Sequence, residues 1–355
     1  MNRIQILFGY SLVLLLSACA QTPTEMRYFP DNTRAAEGRV WPTLPDVPRY
    51  SFAGQLVGEQ NFGTSEQSQP GAFTNMMRWV VGLGAGPEQE PRVLLRPQSG
   101  MVDKQGRILV TDVGRGAIFV FDVQQGKLFI WNQADAGDTF SSPIGITAGA
   151  NDEILVADAD LKRVVRLSQQ GQPLGSMGNG QLQRPTGLVR DPLGKQIYVA
   201  DTRGHHIAVF NDAGQMIRKF GQQGTGPGEF NAPTYLSLTQ NKLYITDTLN
   251  SRVQIVTTEG QPLNTIGKRG LYVGNLTRPK GVAVDLDGNV YIVESYYDHL
   301  LIFNPEGEFL LAIGGTGSGV GNFYLPAGTW SDEQGRIYVA DMYNGRVIIF
   351  QYLGS

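Results

Sequence analysis

The sequence predicts an all-β protein folded as a six-bladed β-propeller, and three observations carry this prediction. Five short hydrophobic segments end in Asp and a sixth ends in Glu; these acidic residues are Asp112, Asp158, Asp201, Asp247, Glu294 and Asp341. Successive members lie 43 to 47 residues apart, a period typical of propeller blades. Gly accounts for 45 of 355 residues, about twice its usual share of roughly 7%, which favours many tight turns between short strands.

Each repeat is predicted to hold four antiparallel strands. A proline lies 14 to 16 residues before the acidic residue, at the start of the first strand, where no ladder donor is needed. Four of the six prolines are followed two positions later by a glycine: Gly145, Gly187, Gly281 and Gly328. We expect these glycines to let neighbouring backbones approach each other near the propeller axis. Ser99 and Tyr235 hold the equivalent positions in the other two repeats.

The last repeat stops after three strands, close to the C-terminus of the chain. Residues 50–57, which precede the first complete repeat, resemble the outer strand of the other repeats, for example residues 309–313. Pairing of this N-terminal strand with the last blade would close the ring and cover edges that otherwise invite aggregation. The predicted propeller therefore covers residues 49–353, with its sixth blade completed by strand exchange.

Residues 64–96 interrupt the pattern between the closing strand and the first complete blade. Thr74 is a candidate cap for a short helix that would carry Met76, Met77, Trp79 and Val80. We expect this helix to cover the rim of the propeller, with partner docking as the alternative.

The N-terminus reads as an export signal. Residues 1–18 contain Arg3 followed by an apolar run over residues 4–16, shorter than the roughly 20 residues that a membrane-spanning helix needs. Residues 16–19 read Leu-Ser-Ala-Cys, which resembles the bacterial lipobox and implies cleavage before Cys19 and lipidation of its thiol. An ordinary signal peptide with an incidental cysteine is the alternative.

The resemblance to a lipobox also implies a location. Ala20, rather than Asp, follows Cys19, which favours the outer membrane of a double-membrane bacterium. Several acyl chains on one cysteine make a firm membrane anchor. Residues 19–48 are rich in Pro, Thr, Asn and charged residues, and they are predicted to form a flexible tether.

A basic residue usually lies five positions after the acidic one: Arg163, His206, Arg252, His299 and Arg346, with Ala117 as the exception. Together with the Pro-x-Gly entrance and the strand that ends in Asp, this pattern resembles the NHL repeat. Over residues 49–353 the chain resembles bacterial six-bladed NHL-type β-propeller lipoproteins, and the resemblance implies the same ring.

The repeated acidic and basic residues are predicted to be structural. We expect ion pairs across the turn in Asp158–Arg163, Asp247–Arg252 and Asp341–Arg346. A catalytic site needs one asymmetric constellation, whereas these pairs recur as near-copies around a ring.

Metal and nucleic-acid binding have little support in the sequence. Three histidines are present, His205, His206 and His299, and a zinc site needs three or four converging ligands. A metal is conceivable only if His206 and His299 meet across the axis with an acid such as Glu294 or Asp298, so we expect no cofactor. The formal net charge of −3 argues against nucleic acid, whose phosphates are bound mainly by Lys and Arg.

One face of the propeller is the candidate ligand-binding surface. The loops between second and third strands and the loops that enter first strands project from the same face. Its candidate residues are Arg203, His205, Arg269, Tyr272, Tyr296, Tyr297, Asp298, Tyr324 and Tyr343. Aromatic residues and Arg are enriched in binding hot spots, although tyrosines also pack between neighbouring loops.

The sequence therefore favours a membrane-anchored, non-enzymatic propeller that binds an envelope protein, peptide or glycan. The alternative is a periplasmic propeller enzyme of the lyase or lactonase type, with a divalent metal in the central channel.

Overall fold

The computed structural model describes residues 26–29, 38–63 and 92–354, and these residues form the predicted six-bladed β-propeller. Two strands, β1 (Val40–Trp41) and β2 (Tyr50–Leu56), precede the first complete blade. All pairings within the six sheets are antiparallel. Blades are numbered I to VI in chain order from residue 97.

Each of blades I to V is a four-stranded meander whose first strand is innermost. Blade I contains β3 (Pro97–Val102), β4 (Ile108–Asp112), β5 (Ala117–Asp122) and β6 (Lys127–Trp131). Blade II contains β7 (Pro143–Ala148), β8 (Ile154–Asp158), β9 (Arg163–Leu167) and β10 (Pro173–Met177). Blade III contains β11 (Pro185–Asp191), β12 (Gln196–Asp201), β13 (His206–Asn211) and β14 (Met216–Phe220).

The second half of the ring repeats this arrangement. Blade IV contains β15 (Pro233–Thr239), β16 (Lys242–Asp247), β17 (Arg252–Thr257) and β18 (Pro262–Ile266). Blade V contains β19 (Pro279–Val284), β20 (Val290–Glu294), β21 (His299–Phe303) and β22 (Phe309–Gly314). Blade VI contains β23 (Thr329–Ser331), β24 (Arg336–Asp341) and β25 (Arg346–Tyr352), to which β2 and β1 add.

The inner strands of neighbouring blades contact each other around the whole ring, including β23 of blade VI with β3 of blade I. The Pro-x-Gly glycines lie at these contacts. A Cβ on Gly187 would lie 2.5 Å from the carbonyl oxygen of Thr234 in the next blade. Gly145, Gly281 and Gly328 face the backbone of the next inner strand in the same way. The absence of a side chain at these positions therefore allows six sheets to converge on the axis.

The predicted strand exchange is present in blade VI. Strand β2 pairs with β25 from Tyr50 opposite Tyr352 to Leu56 opposite Val347. The Tyr50 hydroxyl lies 3.1 Å from that of Tyr291 in blade V, and Tyr291 donates a hydrogen bond of 2.7 Å to Asp285. The closing strand is thus attached to blade V as well as to blade VI.

Part of the tether predicted for residues 19–48 forms ordered contacts with the propeller instead. Strand β1 pairs with β2, and the buried Trp41 packs edge-on against Phe350 at a centroid distance of 5.2 Å. Phe29 packs in the same way on Phe52 at 5.5 Å. These aromatic side chains cover apolar surface of blade VI, which outweighs the polar composition that suggested a tether.

Several predictions concern residues that the structure does not describe. These are the signal segment 1–18, Cys19 and the short helix expected near residues 74–80, which all lie outside the described ranges. Within the described ranges, no helix is long and apolar enough to cross a membrane.

Candidate functional site

The recurring acidic residues organise the loops of one face, here called the upper face. It consists of the loops that enter first strands and the loops between second and third strands. Asp158 is fully buried and accepts hydrogen bonds from the backbone N–H groups of Ser141, Ser142, Asp160 and Leu161, at 2.8 to 3.2 Å. One carboxylate therefore joins an entrance loop to the loop between the second and third strands of the same blade.

Two of the three predicted ion pairs are present. Arg252 Nε lies 2.8 Å from Asp247, and Arg346 Nε lies 2.8 Å from Asp341. Burial raises the pKa of Asp341, and the hydrogen bond from the Tyr324 N–H and the nearby Arg346 oppose this rise.

The third predicted pair, Asp158–Arg163, does not form. Arg163 instead pairs with Asp138 at 2.9 Å and, more distantly, with Asp135 at 3.8 Å, both in the loop between blades I and II. The backbone donors around Asp158 already satisfy its carboxylate, and the more exposed acids of the loop attract the guanidinium.

The two histidines considered as metal ligands belong to separate blades with separate surroundings. His206 begins β13 of blade III, where Nδ1 lies 2.8 Å from the Gly204 carbonyl oxygen and Nε2 lies 3.9 Å from Asp201. His299 begins β21 of blade V, and burial lowers its pKa.

The acids suggested to join these histidines are occupied by other donors. Glu294 accepts hydrogen bonds from the N–H groups of Thr277, Arg278 and Tyr296, and Asp298 accepts from Thr316 and Leu325. In the described ranges, no three His, Cys, Asp or Glu side chains come together as a metal site would require.

All nine predicted ligand-binding residues lie in upper-face loops, but only some of them come together. Tyr296 packs edge-on against Tyr297 at 4.9 Å between centroids, and Tyr324 packs against Tyr343 at 5.6 Å. His205 and Asp298 have structural partners instead: His205 Nδ1 accepts a hydrogen bond from the Ala232 N–H at 3.2 Å, and Asp298 is 4% exposed. The side chains of Arg203, Arg269 and Tyr272 are exposed at separate positions of the upper face.

Sequence reasoning missed the aliphatic residues that accompany the tyrosines. In the loop between blades IV and V, Leu271, Tyr272 and Val273 are 82%, 83% and 62% exposed. Leu249 of blade IV and Leu95 at the entrance of blade I are also exposed. Exposed apolar side chains thus extend from blade IV through blades V and VI to blade I, a concentration typical of an interaction surface.

Among the described residues of the upper face, several basic side chains have neither an ion pair nor an acid close by, whereas the acids are hydrogen-bonded or ion-paired. The acids of this face outside the recurring ring have partners: Asp135 and Asp138 pair with Arg163, Asp160 with Arg184, and Glu229 accepts from Gly226. Several basic side chains make no ion pair with any described residue: Arg96, Lys162, Arg203, Lys268, Arg269 and Lys280. These basic side chains favour an anionic ligand over a cationic one.

Tyr235 closes the axial channel near the upper face. It replaces the glycine of blade IV, and its hydroxyl donates a 3.2 Å hydrogen bond to the carbonyl oxygen of Gln98 in blade I, on the opposite side of the axis. Below it lies a cavity of about 320 Å³ lined by all six inner strands. The cavity shares Val102, Leu238, Val284 and Ser331 with a wider mouth of about 700 Å³ among the loops of the opposite, lower face.

Comparisons with known proteins agree with this architecture. A family model described as a 6-bladed beta-propeller matches residues 188–240 and 281–354. The chain is an all-β, six-bladed propeller. No curated protein matches its sequence.

Solved structures with the same fold have diverse descriptions. Virginiamycin B lyase from Staphylococcus aureus is 16% identical with a TM-score of 0.52, over 73% of this chain and 95% of that one. A protein of unknown function from Bacteroides thetaiotaomicron is 16% identical with a TM-score of 0.57, over 73% and 70%. A luciferin-regenerating enzyme is 12% identical with a TM-score of 0.56, over 74% and 92%. At such identities the likeness concerns the fold, and function has to be argued from the site.

Proposed function

We propose that this chain is a lipid-anchored, non-enzymatic β-propeller of the bacterial cell envelope that binds an envelope protein, peptide or glycan on its upper face. The NHL-type repeat pattern and the lipobox-like segment support the envelope part of this proposal. The upper face supports the binding part.

The observation that carries the proposal is the loop between blades IV and V. Three consecutive apolar or aromatic side chains, Leu271, Tyr272 and Val273, extend into solvent, an arrangement that costs free energy unless a partner covers it. Unpaired Lys268 and Arg269 precede them in the same loop. Aromatic anchors beside arginine are the composition of a binding hot spot.

Site-specific photocrosslinking in native membranes tests the upper face. We expect a photoreactive residue at Tyr272 or Tyr343 to give a discrete crosslinked product. The matched control is Leu286, which is 78% exposed in the turn between β19 and β20 on the lower face, and it should give none. A product from Leu286 without one from Tyr272 or Tyr343 would contradict the proposed binding face.

The anchor has its own test. Cys19→Ser removes the thiol that a diacylglyceryl group would modify, so the variant is expected to lose palmitate incorporation and to leave the membrane fraction. Wild-type protein processed in the same cells is the control. Unchanged membrane association of Cys19→Ser would refute lipid anchoring and leave the upper-face proposal intact.

The alternative is an enzyme, a lyase or lactonase with a divalent metal in the channel. The described residues contain no group of three His, Cys, Asp or Glu side chains that could hold such a metal. His206 and His299 have different surroundings on different blades, as described above. Metal analysis of protein lacking residues 1–19 provides the test. One tightly held ion per chain that is lost in His206→Ala or His299→Ala would favour the enzyme and overturn the non-enzymatic proposal.

A further inference from the structure

The upper mouth of the axial channel breaks the symmetry of the repeats at one position. The residue between the entrance proline and the glycine position is equivalent in all six blades: Gln98, Ile144, Thr186, Thr234, Lys280 and Ala327. Five of these side chains are uncharged, and Lys280 of blade V carries an amine. A single departure of this kind in an otherwise repeated ring is the asymmetry that a specific site requires.

The backbone places Lys280 next to the axis. The following residue, Gly281, has no room for a Cβ because it faces the backbone of Gly328 and Thr329 in blade VI. Lys280 lies one residue closer to the upper face than this contact, and it is partly buried. The bridge between Tyr235 and Gln98 closes the channel at the level of the glycine positions, so a ligand reaches Lys280 from the upper face.

A second cation accompanies Lys280 on the same strand entrance. In blades III and IV the residues equivalent to Lys280 and Ser295 are in hydrogen-bond contact at 2.7 Å, so Lys280 leaves its strand beside Ser295. Arg278 lies two positions before Lys280, in the loop that enters β19. Its Nε donates a hydrogen bond of 3.2 Å to the Ser295 hydroxyl, and it makes no ion pair with a described residue. Glu294, the nearest recurring acid, has its oxygens occupied by the backbone of residues 277, 278 and 296.

Among the described residues, the Lys280 amine has no acid beside it that would favour its protonated form. Burial, followed by repulsion from Arg278, lowers the pKa of the Lys280 amine to about 8. Arg278 is the charged group that acts on the amine, and it disfavours the protonated form. An anion placed between the two side chains would reverse this effect.

We propose that Lys280 and Arg278 form a binding site for an oxyanion of the ligand, a carboxylate or phosphate group, at the upper mouth of the channel. The proposal rests on the upper-face binding function and specifies the chemistry of its ligand. The Arg guanidinium offers a planar fork to two oxygens, and the Lys ammonium adds a point charge and up to three donors. The exposed tyrosines and aliphatic residues of blades IV to VI would contact the remainder of the ligand.

Competitive amine labelling of the intact propeller at a series of pH values tests the site, with Lys280 followed by peptide mass spectrometry. Without added anion, we expect its labelling to rise with a midpoint near pH 8. Inorganic phosphate or acetate should move the midpoint upward by at least one pH unit, because a bound anion favours the protonated amine. A response to acetate alone would assign a carboxylate ligand, and a response to phosphate alone would assign a phosphate ligand.

Two variants separate the site from the general charge of the face. Arg278→Gln should weaken the protection of Lys280 by the responding anion at least tenfold. Lys162→Gln removes one exposed unpaired charge from blade II on the same face, and it should change the protection of Lys280 less than twofold. A labelling midpoint of Lys280 that neither anion changes would overturn the anion site. Equal effects of the two variants on the protection of Lys280 would overturn it as well.

The outcome for this site is distinguishable from that for the binding face. Crosslinking from Tyr272 that persists at full yield in Lys280→Met, together with no protection by anions, would refute the anion site alone. Protection by anions without any crosslink from Tyr272 or Tyr343 would support the anion site and refute the macromolecular ligand.

Discussion

Lys280 shows how one residue in a repeat can acquire properties that its counterparts lack. Its sequence position, between Pro279 and Gly281, is that of a neutral strand entrance in the other five blades. The structure places it beside Arg278, at a channel mouth that Tyr235 closes from below. A partly buried amine close to a guanidinium reduces folding stability. A position with a purely structural role would not be expected to keep such a residue.

This cost predicts a pH-dependent stability change in Lys280→Met. The pKa of Lys280 in the folded chain, about 8, lies below its ordinary value of 10.5, so the unfolded chain binds its proton more tightly. The penalty is fully present below pH 8 and disappears as the pH rises through 10.5. We expect the variant to be about 1 to 3 kcal/mol more stable than wild type at pH 7, with little of this gain left at pH 10.5.

Urea unfolding at pH 7 and pH 10.5 measures the effect. Lys242→Met, at an exposed lysine on the lower side of blade IV, is the matched control and should change stability little at either pH. A gain in Lys280→Met that is equal at both pH values would show that the amine carries no penalty from burial.

At the scale of the element, the strand pattern and the loop contacts differ in how far the sequence predicts them. The hydrophobic strands and their acidic ends follow from local alternation and spacing, and they lie where expected in all six blades. The partner of Arg163 does not follow from the same pattern. Its expected partner, Asp158, is satisfied by backbone donors, and the acids it does contact, Asp135 and Asp138, belong to a loop without the repeat signature.

The entrance glycines give a prediction at this scale. Gly187→Ala would place a Cβ 2.5 Å from the Thr234 carbonyl oxygen and 2.7 Å from the Tyr235 Cα, so blades III and IV would have to move apart. Overpacking of this kind costs about 1 to 3 kcal/mol or more. Guanidinium unfolding should show a lower midpoint with an unchanged slope.

Gly137→Ala is the matched control for this change. A Cβ added at Gly137 would have no atom within 4 Å, and Gly137 has no positive φ. The free energy of unfolding of the variant should therefore stay within about 0.5 kcal/mol of wild type. Similar losses in both variants would mean that the close approach of inner strands does not limit stability.

At the scale of the whole molecule, closure by β2 makes the ring dependent on its N-terminal segment. Strand β2 covers the outer edge of β25, and Tyr50 connects it to Tyr291 in blade V. A variant lacking residues 1–57 would expose the edge of β25 and the apolar surface below it. Because unprotected edge strands pair with other chains, we expect this variant to aggregate in size-exclusion chromatography.

A variant lacking residues 1–25 keeps β1, β2 and the described residues 26–29, and it should elute as a single species at the same concentration. A synthetic peptide of residues 49–57 should restore part of the soluble fraction of the shorter variant by occupying the vacated edge. A monodisperse variant lacking residues 1–57 would show that the ring closes without strand exchange.

The sequence by itself determined the number of blades, the strands within each blade and the closing strand, because these depend on alternation, spacing and turn residues that act over a few positions. It also placed the candidate tyrosines on one face, because loop direction follows from strand order. Only the tertiary structure decided that Tyr235 bonds to Gln98, 137 positions away along the chain, that Phe29 and Trp41 pack on blade VI, and that Lys280 has Arg278 but no acid beside it among the described residues. Such contacts depend on which side chains converge after the ring has closed, and no local pattern in the chain encodes that convergence.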